Sequence, residues 1–104
     1  MKKYAAIAMF VVLAAFAVSA SAQSGADTYK AKCQMCHGAT GLGDTPAGKA
    51  MKALPLNLPD LIKASDTDLI AATTNGKGKM PAYTGKLTPA QIKNVIAYIR
   101  TLQK

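Results

Sequence analysis

The chain has 104 residues, and 13 lysines and arginines against 5 aspartates and glutamates give it a net charge of +8. This length is typical of one small domain. One histidine and two cysteines are too few for a structural zinc site, which usually takes four nitrogen or sulfur ligands. The basic residues are not interleaved with aromatic residues, so a nucleic-acid-binding function is not predicted.

The first 22 residues have the features of a secretory signal peptide. Lys2 and Lys3 precede an uninterrupted apolar run over residues 5–18, and residues 19–22 are small and follow the A-x-A pattern of cleavage sites. The apolar run is shorter than the roughly 18 residues of a membrane-spanning helix. We therefore predict cleavage after Ala22, no stable membrane insertion, and a periplasmic domain over residues 23–104. The alternative is an uncleaved membrane anchor.

A helix is predicted from Ser24 onward, because Ser24 can cap it and Asp27 would lie in its first turn. It leads to Cys33-Gln34-Met35-Cys36-His37, the C-x-x-C-H pattern of covalent haem attachment. Two thiols three residues apart on a helical turn point the same way, so both can form thioethers with one porphyrin. The imidazole that follows them is then placed to bind the iron.

Two other uses of Cys33 and Cys36 remain open. A disulfide between them would close a very short loop and stabilise the fold little. A thioredoxin-like redox pair is expected beside a βαβ pattern, and no strand signal flanks the motif. Without residues 1–22 the chain has three tyrosines and no other aromatic residue, so a buried porphyrin would supply apolar mass that the core lacks. We predict one covalently bound haem c with its iron.

The rest of the chain predicts loops and helices, and no segment alternates as a strand does. Residues 38–46 are rich in glycine and end in a proline, which indicates a loop. Apolar spacing and capping residues predict three further helical segments: residues 47–54 ended by Pro55, residues 65–75 capped by Ser65, and residues 89–102 opened by the capping box Thr88-Pro89-Ala90-Gln91.

The sixth position on the iron cannot be taken by a second histidine of this chain, because His37 is the only one. Met80 stands in a glycine-rich loop before Pro81, which biases Met80 towards an extended conformation and can hold its side chain at one point. Met51 lies on a predicted helical stripe, where core packing is the ordinary role of methionine. We therefore predict His37 and Met80 as axial ligands. The residues predicted to line the haem are Met51, Leu54 and Leu58.

These features together resemble the class I c-type cytochromes over essentially the whole mature chain. That family has a glycine and an aromatic residue before its first cysteine, at the places of Gly25 and Tyr29. Val95 and Tyr98 match the aliphatic and aromatic residues of its C-terminal helix, and Met80-Pro81 matches its ligand loop. One feature differs. The proline whose carbonyl orients the haem histidine usually lies further downstream than Pro46, the nearest candidate.

The resemblance implies an all-α cytochrome c fold of four to five short helices wrapped around one haem. It also implies a one-electron carrier of a respiratory or related chain rather than an enzyme, since an iron with His and Met ligands has no open position for substrate. Two alternatives stay open. One is a membrane-tethered cytochrome or a haem subunit of a larger redox enzyme, and the other is an open-site haem enzyme or gas-binding protein.

Lysines are frequent in the segments expected to border the haem. Without residues 1–22 the chain keeps 11 basic and 5 acidic residues. These lysines could form an ordinary solvated surface, or they could steer a monomeric protein towards redox partner proteins with acidic docking surfaces. We predict the second role for Lys30, Lys32, Lys49, Lys52, Lys77, Lys79 and Lys86.

Overall fold

A computed structural model describes residues 20–104, which form six helices and contain no strand. The all-α prediction is therefore confirmed. The helices are α1 (Ala20–Lys32), α2 (Gln34–His37), α3 (Pro46–Ala50), α4 (Pro59–Lys63), α5 (Asp66–Asn75) and α6 (Pro89–Leu102). There is one more helix than the four to five expected, because a turn at Cys33 separates α1 from α2. Within the described residues, no helix has the length and apolarity needed to span a membrane.

The predicted caps of α5 and α6 are confirmed. The Ser65 hydroxyl accepts a hydrogen bond of 3.0 Å from the backbone N–H of Asp68. At the start of α6, the Thr88 hydroxyl accepts from the backbone N–H of Gln91 at 3.1 Å, and the Gln91 side chain accepts from the backbone N–H of Thr88 at 2.8 Å. This reciprocal pairing satisfies two N–H groups that the helix itself leaves without partners.

The start of α1 differs from the prediction. Ala20, the first described residue, already belongs to α1, so Ser24 lies exposed within the helix instead of capping it, and Asp27 does not lie in the first described turn. The predicted signal peptide falls mostly on residues 1–19, which lie outside the described part of the chain.

The end of α3 also differs. The helix stops at Ala50 instead of continuing to residue 54, because Lys52 adopts a φ of 56°, which a right-handed helix cannot accommodate. Met51 therefore lies beyond the helix, and 45% of its surface is exposed. The prediction that it sits on a buried helical stripe was wrong.

The core lies where α1 crosses α6. A Cβ atom added to Gly25 would collide with the carbonyl of Asn94 and lie 3.0 Å from the Cβ of Tyr98, so the two backbones meet at this glycine. The rings of Tyr29 and Tyr98 pack with their centroids 5.2 Å apart. This crossing positions the cysteines, because α1 ends directly before them. The buried cluster consists of Tyr29, Cys33, Val95, Ile96 and Ile99.

We expect Gly25→Ala to lower the free energy of unfolding by about 1–3 kcal/mol, the usual cost of overpacking a core. The better helix propensity of alanine, roughly 0.5–1 kcal/mol, is too small to offset a collision with backbone. Urea unfolding of the haem-loaded protein measures the change. Ser24→Ala, at the exposed neighbouring position, is the control and should change stability by less than about 0.5 kcal/mol. A Gly25→Ala variant as stable as this control would contradict the close crossing.

Arg100 fastens the end of α6 to α4 and α5. Its Nη2 donates to the carbonyl of Ala64 at 2.6 Å and lies 2.8 Å from the Asp66 carboxylate, and its Nη1 donates to the carbonyl of Leu61 at 3.2 Å. The carbonyls at the end of α4 thus gain charged donors. The consequence for the site is that α4, which carries Leu61, is held to the end of α6.

Candidate functional site

An apolar cavity of about 650 Å³ lies between the cysteine motif, the loop that carries Met80, and helices α5 and α6. Its volume is in the range of sites that enclose a cofactor. Of the seven residues predicted from sequence, the cavity brings together six: Cys33, Cys36, His37, Met51, Leu54 and Met80. Leu58 is not among the lining residues; it is the N-cap residue of α4.

The two cysteines lie on one helical turn after α1, Cys33 as the N-cap residue of α2 and Cys36 within that helix. The N–H of Cys33 donates to the Tyr29 carbonyl at 2.8 Å, and the N–H groups of Cys36 and His37 both donate to the carbonyl of Cys33, at 3.2 and 2.9 Å. Both thiols therefore face the same cavity. Burial raises the pKa of the Cys33 thiol to about 11, whereas reactive redox cysteines have lowered pKa values. This disfavours the dithiol alternative.

The turn that bears the motif is supported by Thr45 and Gly48. The Thr45 hydroxyl donates to the carbonyl of Met35 at 2.6 Å and accepts from the N–H of Gly48 at 2.9 Å. Through the second bond Thr45 also caps the N-terminus of α3. A Cβ at position 48 would collide with the carbonyl of Cys36, so α3 lies directly against the turn. Sequence analysis missed this support, although the Thr-Pro step was a visible helix-start signal.

The His37 imidazole is suited to bind a metal as the neutral ring. Burial lowers its pKa, while the carbonyl of Leu54 acts in the opposite direction and is the weaker effect. Nδ1 is buried and makes no hydrogen bond of ordinary geometry. A histidine that ligates through one nitrogen usually turns the other towards an acceptor, and the Leu54 carbonyl is available for that role.

The carbonyl of Leu54 is therefore a second candidate for the orienting role, beside that of Pro46. Pro46 is the exposed first residue of α3. A signal for Leu54 exists in the sequence, because Pro55 restricts the residue before it to extended conformations and so fixes the direction of its backbone.

Met80 lies in a tight turn at the end of α5. Lys77 and Met80 exchange backbone hydrogen bonds of 3.2 and 3.0 Å. Gly76, with a φ of 78°, allows the chain to turn so closely that an added Cβ would lie 2.8 Å from the Met80 carbonyl. The loop therefore holds Met80 at a defined place on the cavity wall.

Met51 and Met80 belong to different walls of the cavity. The chain after Met51 is fixed on the histidine side, since the N–H of Ala53 donates to the Gly48 carbonyl at 2.8 Å and the Leu54 carbonyl interacts with His37. Met80 instead belongs to the loop after α5. The lining set of Met51, Leu54 and Leu58 left out several further residues that line the cavity, namely Leu56, Leu61, Leu69, Tyr83, Val95 and Ile99.

The rim of the cavity is basic. Among the seven lysines predicted to border it, Lys32, Lys52, Lys77 and Lys79 do so, and Lys30, Lys49 and Lys86 do not. None of the lining residues in the described part of the chain is an aspartate or glutamate.

The residues of this cavity fit a covalently held haem. Two thiols stand on one turn, a buried imidazole nitrogen lacks a hydrogen-bond partner, and the remaining wall is almost entirely apolar. When such a group is bound, the thiols become its thioethers and the apolar walls enclose its faces.

Comparisons with known proteins agree with this fit. A family model described as "Cytochrome C oxidase, cbb3-type, subunit III" matches residues 20–99. Cytochrome c6 of Leptolyngbya boryana is 39% identical over 82 residues, which cover 77% of this chain and 91% of that protein. Cytochrome c6 of Picosynechococcus sp. is 35% identical over 95% of this chain and 92% of its own length.

A solved structure is also similar to this chain. The KustC0563 c-type cytochrome superposes with a TM-score of 0.70 at 28% sequence identity, covering 77% of this chain and 98% of its own. The fold, the thiol pair on one turn and these relatives lead to one assignment. The chain belongs to the class I c-type cytochromes, small all-α proteins that carry a covalently attached haem c and transfer electrons.

Proposed function

We propose that this cytochrome is a one-electron carrier whose single iron is held by His37 and Met80, with thioethers to Cys33 and Cys36. The observation that supports this assignment is the shared cavity, which His37 at the end of α2 and Met80 in the loop after α5 both line. When bound, haem c supplies an iron that alternates between the ferric and ferrous states.

The protein residues then have three tasks. His37 and Met80 would hold the iron as its two protein ligands, so that little rearrangement would accompany electron transfer. The apolar walls keep water away from the site. With haem bound, the Leu54 carbonyl would be placed to accept a hydrogen bond from the imidazole, which would fix the orientation of the ring and increase its basicity.

We propose no catalytic activity, because two protein ligands leave no coordination position for a substrate. An open-site enzyme or gas-binding protein would need one ligand to be absent, and both candidate side chains line the cavity. The alternative of a subunit in a larger redox enzyme has one specific point in its favour, the description of the matching family model. The relatives matched along nearly their whole length favour an independent carrier.

A reductive titration of the purified protein tests the carrier function. We expect one electron per chain to convert the ferric to the ferrous spectrum reversibly, and carbon monoxide to leave the ferrous spectrum unchanged on mixing. Rapid binding of carbon monoxide would contradict six-coordination and support the open-site alternative.

We propose that the carrier is exported, with residues 1–22 removed. The support is the sequence of that segment, a basic start followed by an apolar run and small residues. The intact mass of protein recovered from the periplasm, expected to equal residues 23–104 plus one haem, tests the proposal.

The lysines at the cavity rim support a further proposal, that the monomeric protein docks through this rim to acidic surfaces of redox partners. Lys32, Lys52, Lys77 and Lys79 are all exposed, and no carboxylate lines the same opening among the described residues. A rim of one charge sign attracts oppositely charged partners and raises association rates at low ionic strength.

We expect Lys79→Glu to slow oxidation of the ferrous protein by hexacyanoferrate(III), an anionic oxidant, more than Lys93→Glu does. Both variants change the net charge equally, but Lys93 lies exposed on α6 and does not line the cavity. The difference should shrink as salt rises, because the Debye length falls from roughly 30 Å at 0.01 M to about 10 Å at 0.1 M. Equal second-order rate constants for the two variants would refute a docking role for the rim.

A further inference from the structure

We propose that Tyr83 is a positioning residue, whose hydroxyl ties the Met80 loop to the end of α1 and so keeps Met80 bound to the iron. The proposal rests on the axial role proposed for Met80. The Tyr83 hydroxyl donates a hydrogen bond of 2.9 Å to the carbonyl of Lys32, a residue 51 positions earlier in the chain. The donor is three residues after Met80, and the acceptor directly precedes Cys33.

The Lys32 carbonyl has a physical need for this partner. In a continuous helix it would accept from the N–H of Cys36, four residues later, but that N–H donates to the Cys33 carbonyl at 3.2 Å. Carbonyls in the last turn of a helix must otherwise be satisfied by a side chain or by water. The Tyr83 hydroxyl thus caps α1 at the point where the cysteine motif begins.

The backbone bonds of the loop do not provide the same link. The N–H of Tyr83 donates to the Thr73 carbonyl at 3.1 Å, and the N–H of Thr84 to the Thr74 carbonyl at 3.0 Å. These bonds fix the loop to α5. The Tyr83 side chain adds a connection from the loop to α1, which leads to His37, and so joins the parts of the chain that bear the two axial ligands.

The surroundings of the Tyr83 ring favour this role. The ring lines the cavity, and the ammonium nitrogen of Lys86 lies 5.8 Å from its centroid, within the range of a cation–π interaction. Burial raises the pKa of Tyr83, so the hydroxyl keeps the proton that it donates. The contact of the ring with the cavity wall and its contact with Lys86 both restrain the ring.

Release of Met80 from the iron requires the loop to move away, and this movement breaks the Tyr83–Lys32 bond. Tyr83→Phe removes only the hydroxyl. The ring and its contact with the cavity remain. From the usual net contribution of one hydrogen bond, the loop-open form should become roughly two- to tenfold more populated.

The experiment uses imidazole as the probe, since imidazole binds the ferric iron of the haem-loaded protein only after Met80 has left it. We expect Tyr83→Phe to raise the apparent affinity for imidazole by roughly two- to tenfold. The far-red sulfur-to-iron band should also disappear at a lower temperature than in the parent. Urea unfolding of the same samples measures global stability.

Tyr29→Phe is the matched control. It removes a hydroxyl that donates to the carbonyl of Gly38 at 2.5 Å, with both partners on the cysteine side and neither on the Met80 loop. This variant should lower the free energy of unfolding and leave the affinity for imidazole unchanged.

Each other outcome overturns the proposal. Equal increases in both variants would mean that imidazole reports global stability, and no increase in Tyr83→Phe would mean that the hydroxyl does not restrain the loop. A parent protein without the far-red band would refute Met80 as the ligand, and the role of Tyr83 with it. A parent protein that shows the band, combined with a Tyr83→Phe variant of unchanged affinity for imidazole, would refute the role of Tyr83 alone.

Discussion

Replacing both Cys33 and Cys36 by alanine is expected to yield a haem-free chain that does not fold cooperatively. The buried cluster of the described residues is small, and it lies beside a cavity of about 650 Å³. At roughly 24 cal/mol per Å³, an empty hollow of about 650 Å³ would cost up to about 16 kcal/mol, an upper bound because the opening lets it collapse or fill with water. This is as large as the whole stability of an ordinary domain, about 5–15 kcal/mol.

The single variants separate attachment from packing. Cys36 is only partly buried, so Cys36→Ala chiefly removes one thioether, whereas Cys33→Ala also removes a core side chain. We expect protein with one thioether or with no haem in each case, as read from the intact mass. Met35→Ala, within the same motif but 73% exposed, should retain both thioethers and serves as the control. A double variant that unfolds cooperatively without haem would contradict the prediction.

Met80→Ala is expected to convert the ferric iron to a five-coordinate or water-ligated form. The far-red sulfur-to-iron band should be lost, the reduction potential should fall, and the ferrous protein should bind carbon monoxide. The physical reason is that thioether sulfur favours the reduced state and occupies the position that carbon monoxide would take. Visible spectra and a redox titration provide the measurements.

Met51→Ala is the control for this prediction. Since Met51 is half-exposed, we expect Met51→Ala to keep the far-red band. It should lower the free energy of unfolding by less than the roughly 2–5 kcal/mol lost when a fully buried methionine is replaced by alanine. If Met51→Ala abolished the band and Met80→Ala preserved it, the ligand role would pass to Met51, and the separation of the two walls would have to be abandoned.

Several elements follow from the sequence alone, because neighbours within four residues determine them. Helix α6 spans Pro89–Leu102 as expected, since the capping box at Thr88 and the apolar repeat are both local features. The haem-attachment motif is equally local, because two thiols three residues apart face one way on any helical turn. The end of α3 was less predictable, because Lys52 adopts a positive φ and lysine is not a residue type that favours one.

Only the tertiary structure decided which groups surround the site. Leucines 54, 56, 58 and 61 look alike in the sequence, yet 54, 56 and 61 line the cavity and 58 caps α4, because the path of the chain between α3 and α4 sets the direction of each side chain. A carbonyl is common to every residue, so the type of residue 54 does not mark its carbonyl as the one beside His37, and Pro55 fixes only the local backbone direction. The bond from Tyr83 to Lys32 spans 51 positions and depends on where two distant segments meet. Residue chemistry and local spacing therefore determined the haem and its candidate ligands, whereas long-range packing decided the groups that orient and hold those ligands.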